Sequence, residues 1–151
     1  MTRPAAVFVF LAPILGLAAG ACGSPTEPNT ERVIGRIDPS LSSRPVVAAP
    51  AEVRAGAEFT VTVTTVGFGC TTAEGGAVDV REDLARIVPY DRIPEPGHGT
   101  FCPEGVLTIL PRDLSVTMPR VGAARLRVVG FRASSPGSIL DSLDIAINVL
   151  P

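Results

Sequence analysis

Lysine and tryptophan are absent from this 151-residue chain, and histidine and tyrosine occur once each. All 13 basic residues are therefore arginines, and 15 acidic residues outnumber them, giving a formal net charge of −2. Nucleic-acid partners require a basic surface, so this charge balance argues against them. The scarcity of aromatic rings also argues against a carbohydrate or single-stranded nucleic-acid platform, because such sites use exposed aromatic faces.

The N-terminal segment has the layout of an export signal. Arg3 and the N-terminal amine form a short positive region, and the apolar run 5–17 that follows is too short to span a bilayer. Small residues then lead into Cys22. This pattern predicts a signal peptide over residues 1–21 with cleavage before Cys22.

Ala19, Gly20, Ala21 and Cys22 resemble a lipobox, the site where bacterial prolipoproteins are acylated on cysteine and then cleaved. Leu is usual three positions before the cysteine, where this chain has Ala19. An ordinary secretory signal is the alternative, since small residues also suit its cleavage site. Acylation is favoured because Cys22 would otherwise be an unpaired thiol in an oxidising compartment.

Acylation of Cys22 implies that membrane lipid is the first partner, because two or three acyl chains hold a protein firmly on a bilayer. The polar residues 22–32 that carry the acylated cysteine are expected to form a flexible tether. Gly23, rather than Asp, follows the cysteine, and in this the chain resembles lipoproteins that are sorted to the outer membrane. The resemblance implies an outer-membrane location, facing the periplasm or the cell surface.

Residues 33–151 have the pattern of one all-β domain, with 15 glycines and 15 prolines spread along the whole chain. The clearest strand is 59–64, where apolar residues alternate with threonines. Residues 91–103 are predicted to form a loop, and Pro111 is predicted to separate two strands. The remaining predicted strands are 33–38, 46–48, 78–80, 84–88, 106–110, 114–118, 123–131 and 143–149. Predicted inward-facing residues are Phe59, Val61, Val63, Ala124, Leu126, Val128, Leu143, Ile145, Ile147 and Val149.

Two motifs carry a resemblance to bacterial immunoglobulin-like domains. The first is Val-x-Ala-Gly-x-x-Phe-Thr-Val-Thr-Val from Val53, the second is Gly-x-Ala-x-Leu-x-Val-x-Gly from Gly122, and an alternating final strand follows. The resemblance implies an antiparallel immunoglobulin-like sandwich of seven to nine strands. For such a domain we expect a structural or adhesive role, in which loops or an exposed strand edge meet another envelope protein or a surface ligand.

Cys70 and Cys102 remain as an even pair once Cys22 is acylated. In an exported protein such a pair is expected to form a disulfide. A redox-active pair is the alternative, but the Cys-x-x-Cys spacing that lowers a thiol pKa is missing.

Catalytic and metal sites have weak support in the sequence. His98 lies near three acidic residues, but one imidazole with scattered carboxylates is a poor transition-metal set. The serines close to the last strand lack a nucleophile-elbow motif. The neighbouring carboxylates are more typical of a solvated turn than of an acid–base catalytic pair. Arg125 and Arg127 are expected on an outward strand face. The candidates considered are Asp91, Glu95, His98, Glu104, Ser134, Ser135, Ser138, Glu82, Asp83, Asp141 and Asp144.

The sequence therefore predicts a lipid-anchored, non-catalytic domain without a cofactor, acting as a structural or protein-interaction module. A small β-barrel that holds an apolar ligand is one alternative. A metal-dependent hydrolase centred on His98 is the other.

Overall fold

The computed structural model describes residues 30–42, 44–95, 101–134 and 137–151, and this part of the chain forms nine strands. The all-β prediction is confirmed. Cys22, His98 and Ser135 lie outside the described residues. The strands are β1 (Thr30–Ile34), β2 (Val47–Ala48), β3 (Glu52–Arg54), β4 (Glu58–Phe68), β5 (Thr72–Arg81), β6 (Leu84–Pro94), β7 (Leu107–Thr117), β8 (Gly122–Ser134) and β9 (Gly137–Leu150).

The strands form two sheets. The larger has the order β1-β6-β8-β9-β3, with β5 also paired to β6, and the smaller has the order β2-β4-β7. The pairs β6–β8 and β3–β9 are parallel, so the larger sheet is mixed, whereas the sequence predicts antiparallel pairing throughout. Alternation of apolar residues indicates which face of a strand is buried, but it carries no information about the direction of its neighbour.

The segment that follows β1, residues 35–37, joins the two sheets, and we call it the crossing segment. Gly35 N donates to the Pro89 carbonyl at 2.8 Å, and Ile37 N donates to the Phe131 carbonyl at 2.7 Å. The Arg36 carbonyl accepts a hydrogen bond from Val66 N of the smaller sheet at 2.9 Å. The crossing segment therefore lies between β6 and β8 and also pairs with β4.

The core lies between the two sheets and contains the residues that the alternation predicts. Val61 and Val63 are fully buried, as are Leu126 and Val128. Ile147 and Val149 are buried, while Phe59, Leu143 and Ile145 are partly buried and pack against the core. Thr64 is buried, although the alternation places it on the outer face; its amide donates to the Val46 carbonyl, so the chain next to β2 pairs with β4 at this position.

Two sequence predictions about loops are wrong. Residues 91–94 belong to β6, because β1 pairs with them from Thr30 opposite Pro94 to Ile34 opposite Tyr90. Pro111 lies inside one continuous strand, β7, instead of dividing two. β7 is an edge strand of its sheet, and an edge strand tolerates a residue without an N–H donor.

Strand directions define two ends of the domain. Thr30 is opposite Pro94, Thr72 is opposite Arg92, and Phe68 is opposite Leu107, so the chain enters the domain at the end where β4 and β6 finish. We call this the disulfide end, because the Cys70–Cys102 bridge lies there. The C-terminal end contains the last residues of β7 and β9 and the first residues of β8.

Candidate interaction surface

A disulfide between Cys70 and Cys102 closes one end of the domain, as the sequence predicts. The S–S distance is 2.12 Å and the Cα–Cα distance is 5.3 Å. Cys70 lies in the turn after β4, and Cys102 lies in the connection that leads to β7. Gly69 precedes the bridge with a φ of 59°, and a Cβ there would lie 3.2 Å from Cys102 Cβ, so this turn requires glycine.

Four exposed apolar side chains surround this bridge, and we call them the disulfide-end patch. Phe101 is 90% exposed, Val106 50%, Phe68 44% and Leu107 39%. Phe68 and Leu107 are opposite each other across β4 and β7, and Gly69 N donates to the Val106 carbonyl at 3.0 Å. The Phe101 carbonyl oxygen lies 3.8 Å from Cys70 Sγ. The bridge and the strand ends therefore hold the patch together at one place.

Exposed apolar residues concentrate at this end in the described part of the chain. Ile139 and Leu140 are more than half exposed and pair with Arg132 and Phe131 near the end of β8. Because β8 is parallel to β6, the end of β8 lies toward the disulfide end. Val121 and Leu150 are the exposed large apolar residues described at the C-terminal end. Clustered exposed apolar side chains are typical of interaction sites.

A buried ion pair lies beneath the disulfide end. Arg112 of β7 contacts Asp91 of β6, and their side chains are 5% and 3% exposed. Thr65 of β4 donates its hydroxyl proton to Asp91 Oδ1 at 2.9 Å and also contacts the guanidinium. The cluster joins three strands from both sheets. Its burial fits a structural role, because a substrate has no access to it.

Arg112 also donates hydrogen bonds to three backbone carbonyls. Its guanidinium donates to the carbonyls of Gly75 at 3.1 Å, Leu110 at 3.3 Å and Tyr90. Gly75 lies in a bulge of β5 with a φ of 89°, which removes its carbonyl from the regular ladder. Arginine suits this position because its planar fork carries five N–H donors.

This cluster is not among the residues predicted from the sequence, although the alternation of β6 and β7 contains a signal for it. Arg112 falls in the alternating row of β7 that also contains Leu110, Leu114 and Val116. Asp91 falls in the row of β6 that contains Ala85 and Ile87. A charged residue in an otherwise apolar inward row indicates a buried partner on another strand.

The outer face of the larger sheet carries ion pairs. Arg127 donates from Nε and Nη2 to the two carboxylate oxygens of Asp144, both at 2.8 Å. These hydrogen bonds raise the pKa of Arg127 and lower the pKa of Asp144. Arg125 is directed outward as predicted and lies 3.8 Å from the same carboxylate. Arg125 and Arg127 are the two arginines that could meet an acidic partner, and both are already paired with the Asp144 carboxylate.

The catalytic and metal candidates are not brought together in the described residues. Asp141 pairs with Arg132 at 3.3 Å, and Glu82 pairs with Arg120 at 3.5 Å in the turn between β5 and β6. Among the residues described, no group of three or more His, Cys, Asp or Glu side chains has a metal-binding arrangement. Asp91, only a weak candidate ligand beside His98 in the sequence, is buried against Arg112.

A shallow apolar cavity is found at the surface between the two sheets. Its volume is about 230 Å³. Pockets for drug-sized ligands usually measure about 300 to 1,000 Å³, so this cavity gives little support to the ligand-carrier alternative. Its lining residues are Pro39, Val46, Val47, Leu143, Asp144 and Ile145.

Comparisons with protein-family models, curated proteins and solved structures find no match to this chain. Within the described residues, the structure has no helix long and apolar enough to cross a membrane.

Proposed function

We propose that this protein is a lipid-anchored, non-catalytic envelope lipoprotein whose β domain acts as a structural or protein-interaction module. The observation that carries the proposal is the lipobox-like sequence ending in Cys22, followed by a short polar tether and a disulfide-bonded domain. An oxidised pair is what an exported protein is expected to contain. Asp91, Asp141 and Asp144 are engaged in ion pairs, which supports a role without acid–base chemistry.

The immunoglobulin-like assignment is part of the same proposal. Its support is the motif order of the sequence together with two facing sheets around a common core. The mixed pairing of the larger sheet sets this domain apart from a purely antiparallel sandwich.

Intact-mass analysis of membrane-extracted protein tests the anchor. The expected mass is that of residues 22–151 plus acyl chains, with two hydrogens gained on reduction of the Cys70–Cys102 bridge. The Cys22→Ser variant is the control. It is expected to carry no acyl mass and to be absent from the membrane fraction. Unacylated protein from a lipoprotein-processing host would refute the proposal.

Membrane separation tests the outer-membrane location. The parent protein, with Gly23 after the cysteine, is expected in the outer-membrane fraction of a cell that has one. Gly23→Asp is expected to shift it to the inner membrane, and Gly23→Ser is the matched control that should stay with the parent. If the parent itself fractionates with the inner membrane, the proposed location is wrong.

A further inference from the structure

We propose that the disulfide-end patch rests on the phospholipid bilayer that holds the acyl chains of Cys22. This inference depends on the proposed function, because it requires the anchor. It assigns a membrane-contact role to Phe68, Phe101, Val106 and Leu107, and it gives the domain a fixed orientation in which its C-terminal end points away from the membrane.

The chain between the anchor and the domain is short. Covalent geometry limits the eight residue steps from Cys22 to Thr30 to about 28 Å. The 11 residues of β7 run along the length of the domain and extend about 36 Å. With the C-terminal end against the bilayer, Thr30 would be farther from the membrane than the chain can reach. An inverted orientation is therefore excluded for the anchored protein.

The patch lies at the end where the chain enters the domain. Thr30 lies opposite Pro94 at the disulfide end, and the patch occupies that same end. The acyl anchor thus keeps these apolar side chains close to lipid. Phe101, which is 90% exposed, gains an apolar environment there that the domain itself does not supply.

The outer face of the larger sheet is less suited to lipid than the disulfide-end patch. It carries the ion pairs Arg127–Asp144 and Arg81–Asp79, which favour water over lipid. The disulfide end carries charged groups as well as the patch: the Arg36 guanidinium lies 5.4 Å from the centre of the Phe68 ring, and Glu104 is exposed in the adjoining connection. Arg92 pairs there with Glu74 at 3.1 Å, and Arg132 pairs with Asp141 at 3.3 Å. Charged groups at the rim of an apolar patch suit the headgroup layer. End-on contact is therefore favoured over a domain lying on its side.

The absence of tryptophan makes a direct test available, because one introduced tryptophan is the only indole in the chain. Acylated Phe101→Trp protein is reconstituted into phosphatidylcholine vesicles with brominated acyl chains, which quench indole fluorescence at short range. The matched control is Val121→Trp, since Val121 is 60% exposed at the C-terminal end. Flotation of the vesicles and intact mass report the anchor independently of the fluorescence.

The inference predicts about a twofold loss of fluorescence for Phe101→Trp on brominated relative to unbrominated vesicles, with little change for Val121→Trp. Floating, acylated protein in which neither variant is quenched, or both are quenched equally, would overturn the inference while leaving the anchor intact. A different outcome is that Phe101→Trp is not quenched on vesicles, and that without lipid its emission shifts to the blue as the protein concentration rises. That outcome would overturn the inference and would show that the patch binds a second copy of the chain. Protein that neither floats nor carries acyl mass would overturn both proposals.

Discussion

Asp91 and Arg112 form an ion pair between the two sheets. It is buried, and it connects β6 of the larger sheet to β7 of the smaller one. Asp91→Ala leaves the guanidinium of Arg112 buried without its counter-charge, which typically costs about 3 to 5 kcal/mol. Domains of this size have unfolding free energies of about 5 to 15 kcal/mol, so we expect a large fall in the urea midpoint.

The double variant Asp91→Ala/Arg112→Met distinguishes ion pairing from simple loss of volume. Removing both charges is expected to recover part of the stability that Asp91→Ala loses, because no uncompensated buried charge remains. Recovery is expected to be incomplete, since the Gly75 and Leu110 carbonyls lose their donor. A double variant less stable than Asp91→Ala alone would show that the carbonyl contacts outweigh the ion pair.

Asp38 gives the fold a specific dependence on pH. The Ser40 hydroxyl donates to Asp38 Oδ1 at 2.6 Å and, with help from the Ser40 amide and Arg36, holds the pKa of this carboxyl below its usual value. A carboxylate with a lowered folded-state pKa contributes stability above the unfolded-state pKa of about 3.9 and loses it as the pH falls through the folded-state value. Urea unfolding between about pH 6 and pH 3 is therefore expected to show less acid-induced loss for Asp38→Asn than for the parent. Asp79→Asn, at a carboxylate that is 55% exposed, is the control and should follow the parent.

Among the elements, the crossing segment depends on the absence of a side chain at Gly130. A Cβ there would lie 2.7 Å from the Gly35 carbonyl oxygen and 2.8 Å from Ile37 Cγ2. Gly130→Ala must therefore push the segment away from β8, and overpacking of this kind costs about 1 to 3 kcal/mol. We expect the amides of Ile37 and Phe131, which bond across this contact, to exchange faster with deuterium. Gly56→Ala is the control for backbone strain without this clash, because an added Cβ there meets no atom within 4 Å but the φ of 73° is unfavourable for alanine; it should leave these two amides protected.

At the scale of single strands, the sequence predicts which side chains are buried better than it predicts which strands pair. The inward rows of β8 and β9 are correct because a half-buried strand places every second side chain on the core, whatever its neighbours are. Residues 91–94 contain proline and charged side chains that favour a loop, but pairing with β1 and the Arg112 contact override that preference. Arg36 offers no local signal that its backbone joins both sheets, because the partners Val66 and Phe131 are distant in sequence.

For the candidate surface, the sequence predicts the bridge but not the patch. The cysteine count and the predicted export signal suffice to predict the pairing of Cys70 with Cys102. Phe68 and Leu107 look like ordinary core residues in the sequence, since exposure depends on where β4 and β7 end. Only the three-dimensional arrangement shows that these side chains lie at the same end as Thr30.

For the whole molecule, the Cys70–Cys102 bridge restricts the unfolded chain and so sets a large part of the domain's stability. The bridge spans 32 positions, and a loop of this length contributes about 3 to 4 kcal/mol in the chain-entropy model. We therefore expect the urea midpoint of the parent to fall by a corresponding amount in reductant, measured with Cys22→Ser present to prevent mispairing. The variant Cys70→Ser/Cys102→Ser should match the reduced parent and show no further response to reductant, which separates loss of the bridge from other effects of the reagent. A reduced parent as stable as the oxidised one would mean that the described contacts alone hold this end closed, and the bridge would then not determine how rigidly the patch is presented.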